Sequence, residues 1–334
     1  MTKYFRLYIL FLFFSITSFS QISKVHYIPP LTNNKSLSGG SSIPLDQYMY
    51  LSTPSGNNVT VTITPLNGDS PTTYNNLSNG NPIRYDIGTS WNGSFTPSQL
   101  FVDHENTGGD TTLNAGFVVE ADCPIYVSIR YNAGAQAGAL VSKGDASLGT
   151  NFRAGMMTNG TLQTANAHYT ANSFFSVMAT QDNTTVAIDL PNAIIGQTTL
   201  SNYSYEGPFT KVLQKHESMV LSLDFENTNA NNEGARNSLN GALIRSVDDN
   251  GVEDGTKPLV VNVGSASGSF TSTGSGHDHG IDQIVGLDRV GHEYIFVRGN
   301  GQNTNDGGQL ETPLIIGTKA VSYTHLTLPT ILLV

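Results

Sequence analysis

The chain has 334 residues, with 16 Lys and Arg against 26 Asp and Glu, a formal net charge of −10 and only 13% charged residues. An acidic, sparsely charged surface excludes nucleic acid as a partner, because phosphate neutralisation requires clustered Lys and Arg. The single cysteine, Cys123, excludes a disulfide framework within the chain.

The first segment, "MTKYFRLYILFLFFSITSFSQ", has cations at Lys3 and Arg6, an apolar run from Leu7 to Phe14 and small residues around Ser18 and Ser20. It reads as a secretory signal peptide over residues 1–20, cleaved before Gln21. Its apolar core is shorter than the roughly 20 residues that span a bilayer. No later segment is long and apolar enough to span, so the mature chain is expected to be exported, without a transmembrane span, to the extracellular space or outer cell surface.

Two phrases then repeat. "MYLSTPSGNNVTVTITP" at Met49–Pro65 and "FFSVMATQDNTTVAIDL" at Phe174–Leu190 each carry an apolar run to a Thr (Thr53, Thr180), a polar cluster and an alternating segment. At an offset of about 127 positions Val59 falls on Val186, Val61 on Ile188 and Ile63 on Leu190. Alternation of apolar and polar residues marks a half-buried strand, and Asn and Asp between two such runs supply a turn. Each phrase is therefore expected to be a hairpin.

The repeat continues through "NPIRYDIG" (81–88) and "KVLQKHESMVLSLDF" (211–225), then through paired apolar runs whose second member opens with Pro124 or Pro258. Proline is tolerated at the first residue of a strand. The second copy carries an acidic insertion between its runs. "SLGTNFRAGM" (147–156) and "RVGHEYIFVRG" (289–299) follow the two copies, and a third hairpin begins at "TPLIIGTKA" (312–320). Sustained helical periodicity is absent, and Gly or Pro interrupts every long segment.

These patterns predict an all-β chain of repeated antiparallel β-sandwich-like modules in series, over 21–165 and 166–305, with a truncated third module at 306–320. A repeat of this length suits a sandwich of about 100 residues with inserted loops. It exceeds the ~40–50 residues of one β-propeller blade, although a propeller with several blades per repeat is the alternative. The tail "VSYTHLTLPT" (321–330) resembles a translated sequencing adapter, so 321–334 is expected to be foreign to the fold.

Candidate chemistry is sparse. "DDNGVEDG" offers Asp248, Asp249, Asn250, Glu253 and Asp254, an oxygen-rich set suited to Ca²⁺, although its spacing departs from an EF-hand and an acidic turn explains it equally. "GSGHDHGIDQ" offers His277, His279 and Asp282 (with Asp278) for a transition metal, against the alternative of a glycine-flanked solvated loop. No other cofactor is indicated. Cys123, beside a strand, is expected to act as a small buried hydrophobe. His216-Glu217 and His292-Glu293 lack the second His of a metalloprotease helix, and no Gly-x-Ser-x-Gly elbow occurs. Asn-x-Ser/Thr triplets, such as those at Asn58, Asn76, Asn92, Asn159, Asn183 and Asn202, are what an Asn- and Thr-rich chain produces by chance. Tyr74, Trp91 and Tyr203 are candidate aromatic contacts, each equally suited to a core.

Together "SKVHYIPPL", "SLGTNFR", "FSVMATQDNTTVAIDL", "KPLVVNVGS" and "IDQIVGLDRVGHEYIFVRG" resemble the N-terminal IgGFc-binding-protein-like region, in the versions carried by large surface proteins of gliding Bacteroidetes. The resemblance covers most of 24–320. It implies a secreted, cell-surface recognition or adhesion region of a larger bacterial protein with a type IX secretion sorting domain beyond it. Such a region would bind an extracellular protein or glycan through loops and would not be an enzyme. A polysaccharide-active enzyme on a β-scaffold and a passive structural spacer are the alternatives.

Overall fold

The computed structural model describes residues 22–32, 43–92, 94–103, 107–109, 111–134, 136–158, 173–201, 203–224, 228–229, 231–269, 277–291 and 315–317, without the side chains of 267–269, 277 and 278. The expected signal peptide and foreign tail lie outside these residues, as do most of the expected third hairpin and of 289–299.

Strand formation follows the period-2 pattern. Val59, Val61 and Ile63 are fully buried while Thr60 faces solvent, and Ile83, Tyr85 and Ile87 alternate in the same way with Arg84, Asp86 and Gly88. In chain order the first half forms β1 (Ser23–Ile28), β2 (Leu31–Thr32), β3 (Gln47–Ser52), β4 (Val59–Pro65), β5 (Thr72–Leu77), β6 (Ile83–Gly88), β7 (Phe101–Val102), β8 (Phe117–Ala133) and β9 (Gln136–Val141). The second half forms β10 (Asn151–Arg153), β11 (Ser173–Ala179), β12 (Thr184–Asp189), β13 (Thr199–Leu200), β14 (Tyr203–Ser204), β15 (Phe209–Leu213), β16 (Ser218–Ser222), β17 (Leu243–Val247), β18 (Leu259–Ser269) and β19 (His277–Ile284). Despite the sequence expectation, the described residues include one short α-helix, α1 (Glu233–Arg236), whose first amides are capped by the Asn232 side chain.

Each half is a pair of antiparallel sheets with the same connectivity. In the first half β5-β4-β8-β1 opposes β6-β3-β8-β9; in the second, β15-β12-β17-β10 opposes β16-β11-β18-β19. β8 serves both sheets of the first pair, meeting β4 through 117–121 and β3 through 126–131. It therefore joins them into one seven-stranded, nearly closed sheet. Its counterpart in the second half is split into β17 and β18 by the acidic insertion. β10 lies within the 21–165 span yet pairs with β17, as β1 pairs with β8.

The two repeated phrases are not hairpins. β3 and β4, like β11 and β12, belong to opposite sheets and never pair with each other. The polar cluster is an arch across the sandwich, because both flanking strands must reach the long β8 or its split equivalent. The Thr of each arch fixes it identically: Thr53 Oγ1 donates to Pro124 O at 3.0 Å and Thr180 Oγ1 to Pro258 O at 2.6 Å. Thr53→Val and Thr180→Val are each expected to lower stability by about 0.5–1.5 kcal/mol, the net contribution of one hydrogen bond; urea titration measures this.

The two cores meet. Phe175, Val177 and Leu221 point into the second core, whereas Phe174 and Val220, one position away, pack into the first. Buried polar groups tie the seam: Asn262 Nδ2 donates to Pro29 O at 2.8 Å and Gln283 Nε2 to Tyr27 O at 2.9 Å. Beside them His26 is wholly buried, with Nε2 3.0 Å from Ile125 O and 3.3 Å from Ser23 O.

Burial holds the His26 imidazole below its ordinary value of 6.5, against the raising effects of the Ile125 and Ser23 carbonyls and the Asp145 charge. Below about pH 6.5 the unfolded chain takes up a proton that the folded chain resists. The stability tied to neutral His26 is thus complete above that pH and declines as pH falls through it. The melting temperature should drop between about pH 7.5 and 5.5, and drop less in a His26→Gln variant.

Candidate functional site

The outer face of the β6-β3-β8-β9 sheet differs from every other described sheet face. Met49 and Leu51 of β3 point into the core, so Tyr48, Tyr50 and Ser52 point out. Ile125, Val127 and Ile129 of β8 likewise turn Tyr126, Ser128 and Arg130 outward. The register sets these side chains in rows. Tyr50 lies between Arg84 and Ser128, Tyr48 between Asp86 and Arg130, and Ser52 stands opposite Tyr126. Val141 of β9 extends the Tyr50 row.

Tyr50 keeps 38% of its surface exposed, and Tyr126 and Val141 each keep 41%. The Arg84 guanidinium sits 4.8 Å above the Tyr48 ring, and that ring meets Tyr50 edge-on at 6.3 Å. These contacts hold the face in shape before any ligand arrives. At its Ser52/Tyr126 end the face runs into an open groove of about 530 Å³ lined by Ile22, Thr53, Pro54, Ser55, Cys123 and Pro124. Cys123 is half-buried there, more open than the core position expected for it.

Duplication supplies an internal control. On the corresponding sheet face of the second half Met178 lies between Ser218 and Val260, and Ser176 between Val220 and Asn262. All six residues are fully buried, because this face packs against the first half of the chain. Where the face must pack, its residues are small or apolar; where it meets solvent, it carries Tyr and Arg. The outer face of β5-β4-β8-β1 presents Thr60, Thr62, Thr73 and Glu120 instead, with Thr62 and Thr73 hydroxyls 3.0 Å apart. Tyr and Arg provide wide, amphipathic contact area at low entropic cost, which is why they concentrate in protein interfaces.

The residues singled out from sequence lie elsewhere. Tyr74 packs against the first core, Tyr203 against the second with its ring 5.1 Å from Phe209, and Trp91 is half-buried in a small turn bridged to Phe95. In the acidic insertion Asp248 accepts from the amides of Asn250 and Val252, both at 2.9 Å, and Asp254 from the amide and hydroxyl of Thr256 at 2.9 and 2.6 Å. These bonds lower both carboxyl pKa values: Asp248 chiefly through Val252, Asp254 chiefly through the Thr256 hydroxyl. Glu253 turns to Thr150 and Asn151, while Asp249 is exposed.

The His-containing segment, expected as a solvated loop, is strand β19: its backbone pairs with β18 from His277 onward. His279 is 8% exposed, with Nδ1 3.1 Å from Tyr131 Oη, whereas Asp282 pairs with Lys143 at 2.8 Å. The His277 side chain lies outside the described residues. Among the described residues no three His, Cys, Asp or Glu side chains gather around a common point.

The face missed by sequence reasoning was signalled there. Tyr48, Tyr50 and Tyr126 each occupy the polar phase of an alternating run, where Thr or Ser is usual in this chain.

The sequence profile of the family described as IgGFc binding protein matches residues 137–330, more than half of the chain. The match takes in β9 from its second residue, the whole second pair of sheets and part of the segment expected to be foreign. No curated protein and no solved structure gives a match. The first pair of sheets, outside most of the match, repeats the topology of the second strand for strand. The chain belongs to the IgGFc-binding-protein family.

Proposed function

We propose that this chain is an exported, cell-surface recognition region that binds an extracellular protein through the Tyr48/Tyr50/Tyr126 face of its first sandwich, with Arg84 and Arg130 beside it. The carrying observation is the contrast between two topologically equivalent faces, one small and buried, the other aromatic, basic and exposed. The family's description supports a protein ligand. So does ring geometry: Tyr48 and Tyr50 are inclined at 60° and Arg84 covers one of them, which suits an irregular protein surface better than the flat platform on which a sugar ring stacks. No helix among the described residues is long and apolar enough to cross a membrane.

Contact is made by a sheet face rather than by loops at strand ends, and the role is adhesion rather than turnover. Biolayer interferometry of the mature chain against immunoglobulin G Fc and a panel of secreted glycoproteins and free glycans tests this. Binding of a protein member is expected; binding of free glycans alone would overturn the choice of ligand.

A further inference from the structure

The seam between the two sandwiches holds a constellation that recognition does not use. Ser142, just after β9, is 2% exposed, and His26 of β1 with Gln283 and Asn262 of the second half are fully buried. Ser142 Oγ lies 3.0 Å from His26 Nδ1 and 3.1 Å from Gln283 Oε1. A hydroxyl has one proton, so it cannot donate to both. His26 Nε2 faces the carbonyls of Ile125 and Ser23, which fixes the proton on that nitrogen and leaves Nδ1 as an acceptor. The Ser142 proton therefore goes to the imidazole, and an oxygen lone pair is left facing the carboxamide. That is an activated hydroxyl: nucleophile, base and an orienting third group at hydrogen-bond distance.

The carboxamide is equally constrained. Its orientation is set by the Lys143 amide, which donates to Oε1 at 2.7 Å, and by Tyr27 O and Asn262 Oδ1, which accept from Nε2 at 2.9 and 3.2 Å. The Lys143 N–H thus already points at the oxygen on which negative charge would develop during attack at the adjoining carbon. Lys143 Nζ, paired with Asp282 and the Gln283 carbonyl, pins the same stretch of β19. Burial excludes the water that would otherwise compete for the acyl carbon.

We infer that Ser142 and Gln283 form an intramolecular ester that covalently joins the two sandwiches. His26 Nδ1 takes the hydroxyl proton as Ser142 Oγ bonds to the Gln283 side-chain carbonyl carbon. The resulting oxyanion is held by the Lys143 amide. It collapses with cleavage of the bond from that carbon to Nε2, which receives the proton from His26 and leaves as ammonia. One C–N bond is exchanged for one C–O bond, His26 ends as it began, and no oxidant or other reactant is consumed. The bond would close a link between residues 141 positions apart and hold the seam against pulling.

Intact-mass and peptide-mapping spectrometry of the full secreted chain tests this. The folded protein is expected to weigh one ammonia less than its sequence, to yield a single linked peptide containing Ser142 and Gln283, and to release the two halves of that peptide after hydroxylamine. Ser142→Ala and His26→Gln should retain the full mass. A folded wild-type chain of full mass, or recovery of Ser142 and Gln283 in separate unmodified peptides, overturns the inference whether or not the variants fold.

Discussion

Replacing Tyr48, Tyr50 and Tyr126 together with serine is expected to weaken capture of the protein ligand by at least ~100-fold while leaving the fold intact. Aromatic hot-spot residues at interface centres commonly contribute about 2 kcal/mol or more each, though not additively. A combined loss of about 3 kcal/mol corresponds to the stated factor. All three side chains stand on the solvent side of their strands, so the change removes little core packing. The melting temperature should move by no more than a few degrees. Arg84→Ala alone should have a smaller effect, since an exposed cation over a ring is worth about 0.5–1 kcal/mol. Tyr74→Ser and Tyr203→Ser should show the reverse signature, lowering stability with little direct effect on the ligand, because both rings pack against the cores.

The largest expected stability effect is at Gly116, the residue before β8. Its φ is +93°, and a Cβ there would lie 2.2 Å from Ile28 O and 3.1 Å from Pro30 N, both backbone atoms of the crossing β1 end. Nothing in that contact can rotate away. Gly116→Ala must push β1 from β8, in the region where the Gly116 amide bonds Gln99 O and its carbonyl accepts from Leu66. A loss of about 4 kcal/mol or more is expected, the scale reserved for steric conflict in a packed interior. Gly68 provides the control: its φ is +95° but nothing lies within 4 Å of a Cβ there. Gly68→Ala should cost only about 1 kcal/mol, the left-handed backbone penalty by itself. Urea denaturation of the two variants separates the close approach from the backbone angle.

Much of the fold was legible in the sequence because alternation writes burial directly: Val59, Val61 and Ile63, and again Val186 and Ile188, lie where the pattern places them. The Thr53/Thr180 and Pro124/Pro258 correspondences were legible too, and the structure joins each pair with the same hydrogen bond. What alternation does not carry is pairing. A polar cluster between two strands serves a hairpin or an arch equally well, and only the length of β8, which engages both sheets, decides between them. β19 was hidden for a related reason, as its Gly and His residues resemble a loop until β18 supplies a partner.

The tyrosine face follows the same logic. Each ring's direction was readable from its phase, but the rows that unite Tyr48, Tyr50, Arg84, Tyr126 and Arg130 exist only through cross-strand register. The Ser142, His26 and Gln283 cluster comes from β1, β19 and the segment after β9, so no local motif announces it.

Hydrogen exchange of the mature chain, free and saturated with whichever protein of the panel it binds, tests recognition by the first sandwich most directly. Slowed exchange is expected across 47–52, 83–88 and 126–131, with the second pair of sheets unchanged. Protection confined to the strand-end loops or to the second pair, with those three strands unaltered, would contradict it.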